Sequence, residues 1–214
     1  LKAWIDLSTF CNAACPQCHR TDPSGLDKIG WLPLVQWSLE SFKEYFPPES
    51  LSHYERFELC GTWGDPMMNK DIYEIVEYLI TTDPFVKVHI NTNAGMRDPD
   101  WWWKFGMMGG KRLEIVFDVD GINQEMHAKY RRKVDFNRMK DNIEAFCTTP
   151  AFTMLMTIVF KHNEDYIEDI EKMCREWGIV GPHFVVPSNR FSKGKIFEFI
   201  TPEGEVDRLE KADV

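Results

Sequence analysis

The chain has 214 residues, 43% of them hydrophobic and 28% charged, a balance that suits one soluble domain with a sizeable core. No apolar run is long enough to span a membrane, and residues 1–10 lack the basic and apolar regions of a secretory signal. A formal net charge of −9 argues against a protein that grips nucleic acid through its phosphates, but leaves a small or cationic substrate, or a peptide, open.

In chain order, short β-type runs alternate with longer helical patterns. Apolar or β-branched runs lie at 3–9, 56–61, 86–92, 113–119, 152–160 and 182–187. Helix-like stretches fall at 33–46, 70–82, 99–108, 136–147 and 164–177. In the second of these, Ile72, Ile75, Val76 and Leu79 share one face behind Asn69 as N-cap. The last closes at Gly178 as a C-cap glycine, and its acidic run "NEDYIEDIEK" reads as a solvated face. Strands separated by helices read as consecutive βα units around a parallel sheet. In such folds functional residues collect at the C-terminal ends of strands.

The strand ends bear this pattern. After the first comes "CNAACPQC", after the second "CGTWGDP", after the third "NTNAG" and after the fourth "DVDG". Polar, glycine-rich chemistry recurring at one edge of successive units points to a single site along that edge. Of six cysteines, three are clustered at Cys11, Cys15 and Cys18, while Cys60, Cys147 and Cys174 are scattered. This is not a dense disulfide scaffold; it suits a metal-binding cluster in a reducing cytosol.

Three thiolates are one short of a structural zinc site. His19 or Cys60 is available as a fourth ligand, which keeps a zinc-stabilised binding module open. A [4Fe–4S] cluster held by three thiolates has one iron without a protein ligand, free for a small molecule.

The Cys-x3-Cys-x2-Cys loop after the first strand resembles that of the radical S-adenosylmethionine (SAM) enzymes. "GTWGDP" resembles the family's glycine-glycine-glutamate-proline segment, "NTNA" its Thr-Asn-Gly, and "FDVDG" its Ser-x-Asp-Gly. "HAKYRRKVDFNRMKDNIEAF" resembles the arginine-containing helix of peptide-modifying members. The ordered series covers residues 4–186. The resemblance implies an α/β fold, a partial (β/α)6 barrel with a parallel sheet and helices outside, over 1–187, followed by a C-terminal extension, 188–214. It implies a [4Fe–4S] cluster on Cys11, Cys15 and Cys18, with SAM on the open iron. Gly61, Trp63, Gly64 and Asp65 would face the methionine amino group, where glycine lets backbone come close. Asn93, Asp118 and Asp120 would serve the ribose hydroxyls or support those that do. Arg131 or Arg132 would pair with the methionine carboxylate, and groups near Val185 would sandwich the adenine. The implied enzyme is a radical SAM oxidoreductase or lyase that forms a 5′-deoxyadenosyl radical and takes a hydrogen atom from a substrate. Its electron donor would be a flavodoxin or ferredoxin, and its location cytoplasmic.

The chain departs from the family pattern at three positions. Gln17 stands where an aromatic residue often contacts adenine, Asp65 where Glu is commoner, and Asp118 where Ser is frequent. Gln17 is read equally as a solvated loop residue and as an adenine contact, and Asp120 before Gly121 has the competing reading of a turn former. The "WWW" run at 101–103 is read as packing, with one ring inward and another outward; Cys147 and Cys174 read as buried thiols. The extension resembles the connection to an auxiliary-cluster domain, yet no cysteine follows Cys174. The substrate expected first is a peptide, and second a small pterin- or nucleoside-like precursor. The chain opens on "LKAWIDLSTF", as one lacking a native N-terminus would.

Overall fold

The structure is a computed structural model that describes residues 1–191 and 194–213. Six strands form one sheet in sequence order: β1 (Lys2–Trp4), β2 (Arg56–Leu59), β3 (Lys87–Thr92), β4 (Leu113–Asp118), β5 (Phe152–Val159) and β6 (His183–Pro187). Every neighbouring pair is parallel, as βα connections require. This is the α/β partial barrel expected from the sequence.

Strand alternation divides the side chains between two faces. Phe57, Val88, Ile90, Ile115, Phe117 and Leu155 are buried on the outer face. They pack under the helices α3 (Ile72–Thr82), α4 (Pro99–Gly109), α6 (Phe136–Cys147) and α7 (Ile167–Glu176). The inner, concave face carries Glu58, His89, Glu114, Asp118 and Met156, in register across the strands. In α4, Trp102 is fully buried, Trp101 stacks on Phe105 with ring centroids 4.7 Å apart, and Trp103 is exposed. The tryptophan run is therefore a packing element.

Several local expectations shift. β1 ends at Trp4 rather than Thr9, because residues 7–9 leave the sheet to pair with 35–37. Trp37 donates to Leu7 O at 3.0 Å and Thr9 to Val35 O at 2.9 Å. That pairing also shortens the first long helix. α1 (Leu39–Tyr45) starts only after Ser38, whose side chain forms a capping box with Ser41, and a short α2 (Pro48–Leu51) follows. Asn69 is not the N-cap of α3; Asp71 holds that place. Asn69 is buried, and its amide donates to Leu7 O and Trp37 O at 2.8 and 2.9 Å. Gly178 has φ 101° just past α7, the left-handed geometry that suits glycine at a helix end. Cys174 is fully buried and Cys147 half-buried.

Besides α2, two further elements were not separately visible in the sequence. One is the short helix α5 (Gln124–Tyr130); the other is an antiparallel hairpin, β7 (Ile196–Ile200) with β8 (Val206–Glu210). The hairpin is fastened to the barrel. Phe199 and Leu209 are buried, Ile200 N donates to Pro23 O at 2.7 Å, and Asp207 takes Lys129 at 2.8 Å and Arg132 at 2.6 Å. Among the described residues no helix is long and apolar enough to cross a membrane.

Candidate functional site

The strand ends meet in one cavity of about 350 Å³. Cys11, Cys15 and Cys18 line it, and so do Gly61, Gly64, Asp65, Asn93, Asp118 and Arg131. Residues from the ends of β1 to β4 and from the loop after α5 thus share one space, as a single site along that edge requires.

The cysteine loop is held by its own backbone and by the loop after α5. Cys18 N donates to Cys15 O at 3.0 Å, and Ala14 N to Arg132 O at 3.0 Å. All six cysteines are free thiols. Burial pushes Cys11 up to about 12, with Asp65 adding to the rise. Burial likewise holds Cys15 above the usual thiol range. Among the described residues, no group of three or more His, Cys, Asp and Glu is gathered to hold one metal ion. A single zinc needs such convergence, whereas a multi-iron cluster spreads its thiolates over several metals. His19 is exposed, with its ring 6.3 Å from that of Trp63, and it does not line the cavity.

The glycines of "CGTWGDP" are set by close packing. A Cβ on Gly64 would lie 2.2 Å from Ser8 O, and one on Gly61 1.9 Å from Gly64 O. Asp65 N donates to Phe10 O at 2.8 Å, so this loop lies directly on the end of the cysteine-bearing segment. The Asp65 carboxylate is buried and joins two strand ends. It accepts from Met67 N at 2.9 Å, Thr92 Oγ1 at 3.0 Å, and Asn93 N and Nδ2 at 3.0 and 2.6 Å. Burial raises its pKa despite those donors. Asn93 also exchanges two 3.0 Å amide bonds with Asn12, tying β3 to the cysteine loop. Ala94 adopts φ 54°, a left-handed geometry that glycine takes up most readily.

The end of β4 builds an ionic centre. Arg131 donates from Nε to Asp120 at 2.6 Å and lies 3.1 Å from Asp118 through Nη2. Burial opposes its charge, yet Asp118 and Asp120 hold its pKa well above the ordinary value. Asp120 is fully buried and does not line the cavity; its other oxygen accepts from Ile158 N at 2.7 Å. Its work is to hold Arg131 and brace β5. Asp118 differs, since its Oδ1 is buried without a partner. Burial pushes it up to about 7, against the pull of Arg131. Arg132 turns away to Asp207 and to the Phe199 ring, 5.0 Å off. Of the two arginines it is Arg131 that reaches the cavity.

Two expected residues lie elsewhere. Trp63 is half-buried against Trp31, ring centroids 5.2 Å apart, and does not line the cavity. Val185 pairs with Thr157, on the face opposite Met156 and Ile158, which do line it. Phe184 and Val186, flanking Val185, share the cavity's face. Gln17 matches neither of its readings. It is buried and clasps the segment after β6: Nε2 donates to Arg190 O at 3.2 Å, and Oε1 accepts from Ser188 Oγ at 2.6 Å.

Other lining residues were not among the expected cofactor contacts: Arg20, read from its place beside the cysteine loop as a surface or supporting residue, and Tyr130, Met156, Ile158 and Arg190. Cys60 also lines the cavity, and its thiol meets Asn91 Oδ1 at 3.4 Å. Its place at a strand end was the available clue.

Comparison with known proteins follows the same outline. The model of the Radical SAM superfamily matches residues 5–174. A protein of Oleidesulfovibrio alaskensis (strain ATCC BAA-1058 / DSM 17464 / G20), named AdoMet-dependent heme synthase, is 25% identical over 205 residues, covering 89% of this chain and 46% of the relative. The chain thus spans about half the length of the curated relatives it matches. The fold is shared with SuiB of Streptococcus suis bound to its precursor peptide SuiA, with TM-score 0.64, 15% identity, and coverage of 84% of this chain and 37% of SuiB. It is shared too with anSMEcpe with bound AdoMet, with TM-score 0.66, 16% identity, and coverage of 87% and 52%. The chain belongs to the radical SAM superfamily, whose enzymes work with a [4Fe–4S] cluster and S-adenosylmethionine.

Proposed function

We propose that this chain is the catalytic barrel of a radical SAM enzyme that abstracts a hydrogen atom from its substrate. The observation that carries the reading is the convergence of Cys11, Cys15 and Cys18 with the ends of β2, β3 and β4 on one cavity. The three cysteines hold the cluster as thiolates. The buried, unpartnered Asp118 Oδ1 supports a hydroxyl-bearing ligand, because such an atom is costly unless a ligand satisfies it.

Held by Cys11, Cys15 and Cys18, the cluster would supply, together with SAM, the chemistry of hydrogen-atom abstraction. Gly61 to Gly64 would present backbone to the methionine amino group, with Asp65 holding this loop to the end of β3. Asp118 would orient the ribose, Asn93 would support it by tying Asp65 to Asn12, and Asp120 would keep Arg131 aimed at the methionine carboxylate. Met156 and Ile158, with the β6 residues around Val185, form the apolar wall for the adenine.

For the substrate, the concave face beside the cavity carries exposed apolar side chains. Trp4 at one sheet edge and Phe184 and Val186 at the other are exposed there. A peptide is the first reading, supported by the helix that follows β4 and by the fold shared with SuiB. A tetrapyrrole is the second, favoured by the relatives named AdoMet-dependent heme synthase. Residues 1–187 are read as the barrel and 188–214 as an extension, from which Arg190 lines the cavity. A flavodoxin or ferredoxin in a reducing cytoplasm suits an oxygen-sensitive cluster.

Anaerobic reconstitution with iron and sulfide, followed by dithionite and SAM, should yield 5′-deoxyadenosine and methionine. A reconstituted protein without iron–sulfur absorption that forms neither product would sink the reading. Stimulation of 5′-deoxyadenosine formation by a peptide library, set against a tetrapyrrole, sorts the two substrate classes.

A further inference from the structure

Among the described residues, three arginines line the cavity: Arg20, Arg131 and Arg190. Arg131 is neutralised by Asp118 and Asp120. Among the described residues, neither Arg20 nor Arg190 forms an ion pair. Each is held instead by a neutral backbone oxygen: Arg20 Nε donates to Thr9 O at 2.9 Å, and Arg190 Nη1 to Gln17 O at 2.8 Å. A carbonyl orients a cation without cancelling its charge.

The two arginines reach the cavity from different parts of the chain. Arg20 follows close behind Cys18, while Arg190 comes from the segment after β6. Buried Gln17, in the cysteine loop, fastens that segment with both ends of its amide, to Ser188 Oγ and Arg190 O. With the Arg190 side chain returning to Gln17 O, three hydrogen bonds converge on one loop residue. In a chain of net charge −9, these two cations without an acidic partner line the same cavity as the three thiols. As thiolates those cysteines add negative charge to a cavity that Asp65 and Asp118 also line. Adding an electron there costs electrostatic work, and cations at the cavity wall offset it.

We propose that Arg20 and Arg190 are a charge-compensating pair that raises the reduction potential of the cluster on Cys11, Cys15 and Cys18. Gln17 and Ser188 are the positioning residues that hold Arg190 in place. The inference rests on the function proposed above. The step concerned is transfer of one electron from dithionite to the cluster; dithionite is oxidised, the cluster is reduced, and no bond to the protein forms or breaks. The added negative charge remains in the cavity, facing the two guanidinium groups.

The test is a redox titration of the anaerobically reconstituted full chain, followed by the electron paramagnetic resonance signal of the reduced cluster. R20Q and R190Q should each move the midpoint to more negative potential, and the double variant by about the sum. R20K and R190K, which keep the charge, should stay near the parent, and S188A should move in the negative direction by less than R190Q. Iron per chain and SAM affinity should remain those of the parent. An unchanged midpoint in R20Q and R190Q with full iron content overturns the proposal. So does a loss of SAM affinity without a midpoint shift, which would give the guanidinium to the SAM carboxylate. A parent protein that forms no reducible cluster defeats the proposed function itself, before any variant is compared.

Discussion

Asp118 carries one carboxylate oxygen near Arg131 and another that is buried without a partner. Burial favours its neutral form and pushes it up to about 7, so its charge changes near neutrality. An ionised Asp118 is the better acceptor for a ribose hydroxyl. SAM affinity should therefore strengthen as pH rises through about 7, and D118N should flatten that dependence. D118N should also weaken binding by about 1.5–3 kcal/mol, the usual worth of a hydrogen bond to a charged group, roughly tenfold or more. Calorimetric titration across this pH range checks both outcomes; a pH dependence that survives in D118N would remove Asp118 from the ribose site. At this scale the sequence marked Asp118 and Asp120 as neighbours in one motif but could not separate their work. The difference lies in which carboxylate is enclosed by Ile158 N and Arg131, and that depends on strand β5.

Among the elements, α4 shows how amphipathic packing sorts identical residues. Three consecutive tryptophans point in different directions around a helix because successive residues turn by about 100°. Trp102 is fully buried against Phe117 and Phe146, with ring centroids 5.8 and 5.6 Å away. W102A should cost about 3–5 kcal/mol, whereas W103A, at an exposed position, should stay within about 0.5 kcal/mol. Urea denaturation of the two variants reads the difference; equal losses would contradict the packing assigned to α4. Periodicity made the long helices legible, since their apolar stripes recur locally. It extended the first helix too far, because residues 35–37 are drawn into extended pairing with 7–9. Asn69 was misplaced for a related reason: its amide bonds to Leu7 and Trp37 are invisible to a local capping rule.

For the whole molecule, the cavity gathers four thiols, Cys11, Cys15, Cys18 and Cys60, and the proposed chemistry uses three. After reconstitution, C11A, C15A and C18A should each lose most cluster iron and its visible absorption, while C60A should keep both. Iron and acid-labile sulfide analysis decides this, and iron loss in C60A equal to that in C15A would give the cluster a fourth protein ligand. The thiol spacing of the cysteine loop, the strand-end motifs and the βα alternation are all short-range patterns. They were sufficient to establish the parallel sheet, the family and the edge where the site lies. Other assignments depended on contacts across the chain. Gln17 meets Arg190 across 173 positions, Arg132 turns to Asp207 rather than to the cavity, and a one-residue step along β6 puts Val185 on the far face. Spacing along the chain carries ligand geometry, because a loop of a few residues can close only in a few ways. Which face a strand residue presents, and what distant side chain meets it, follows from register and long-range packing, so those parts of the site emerged only with the assembled sheet.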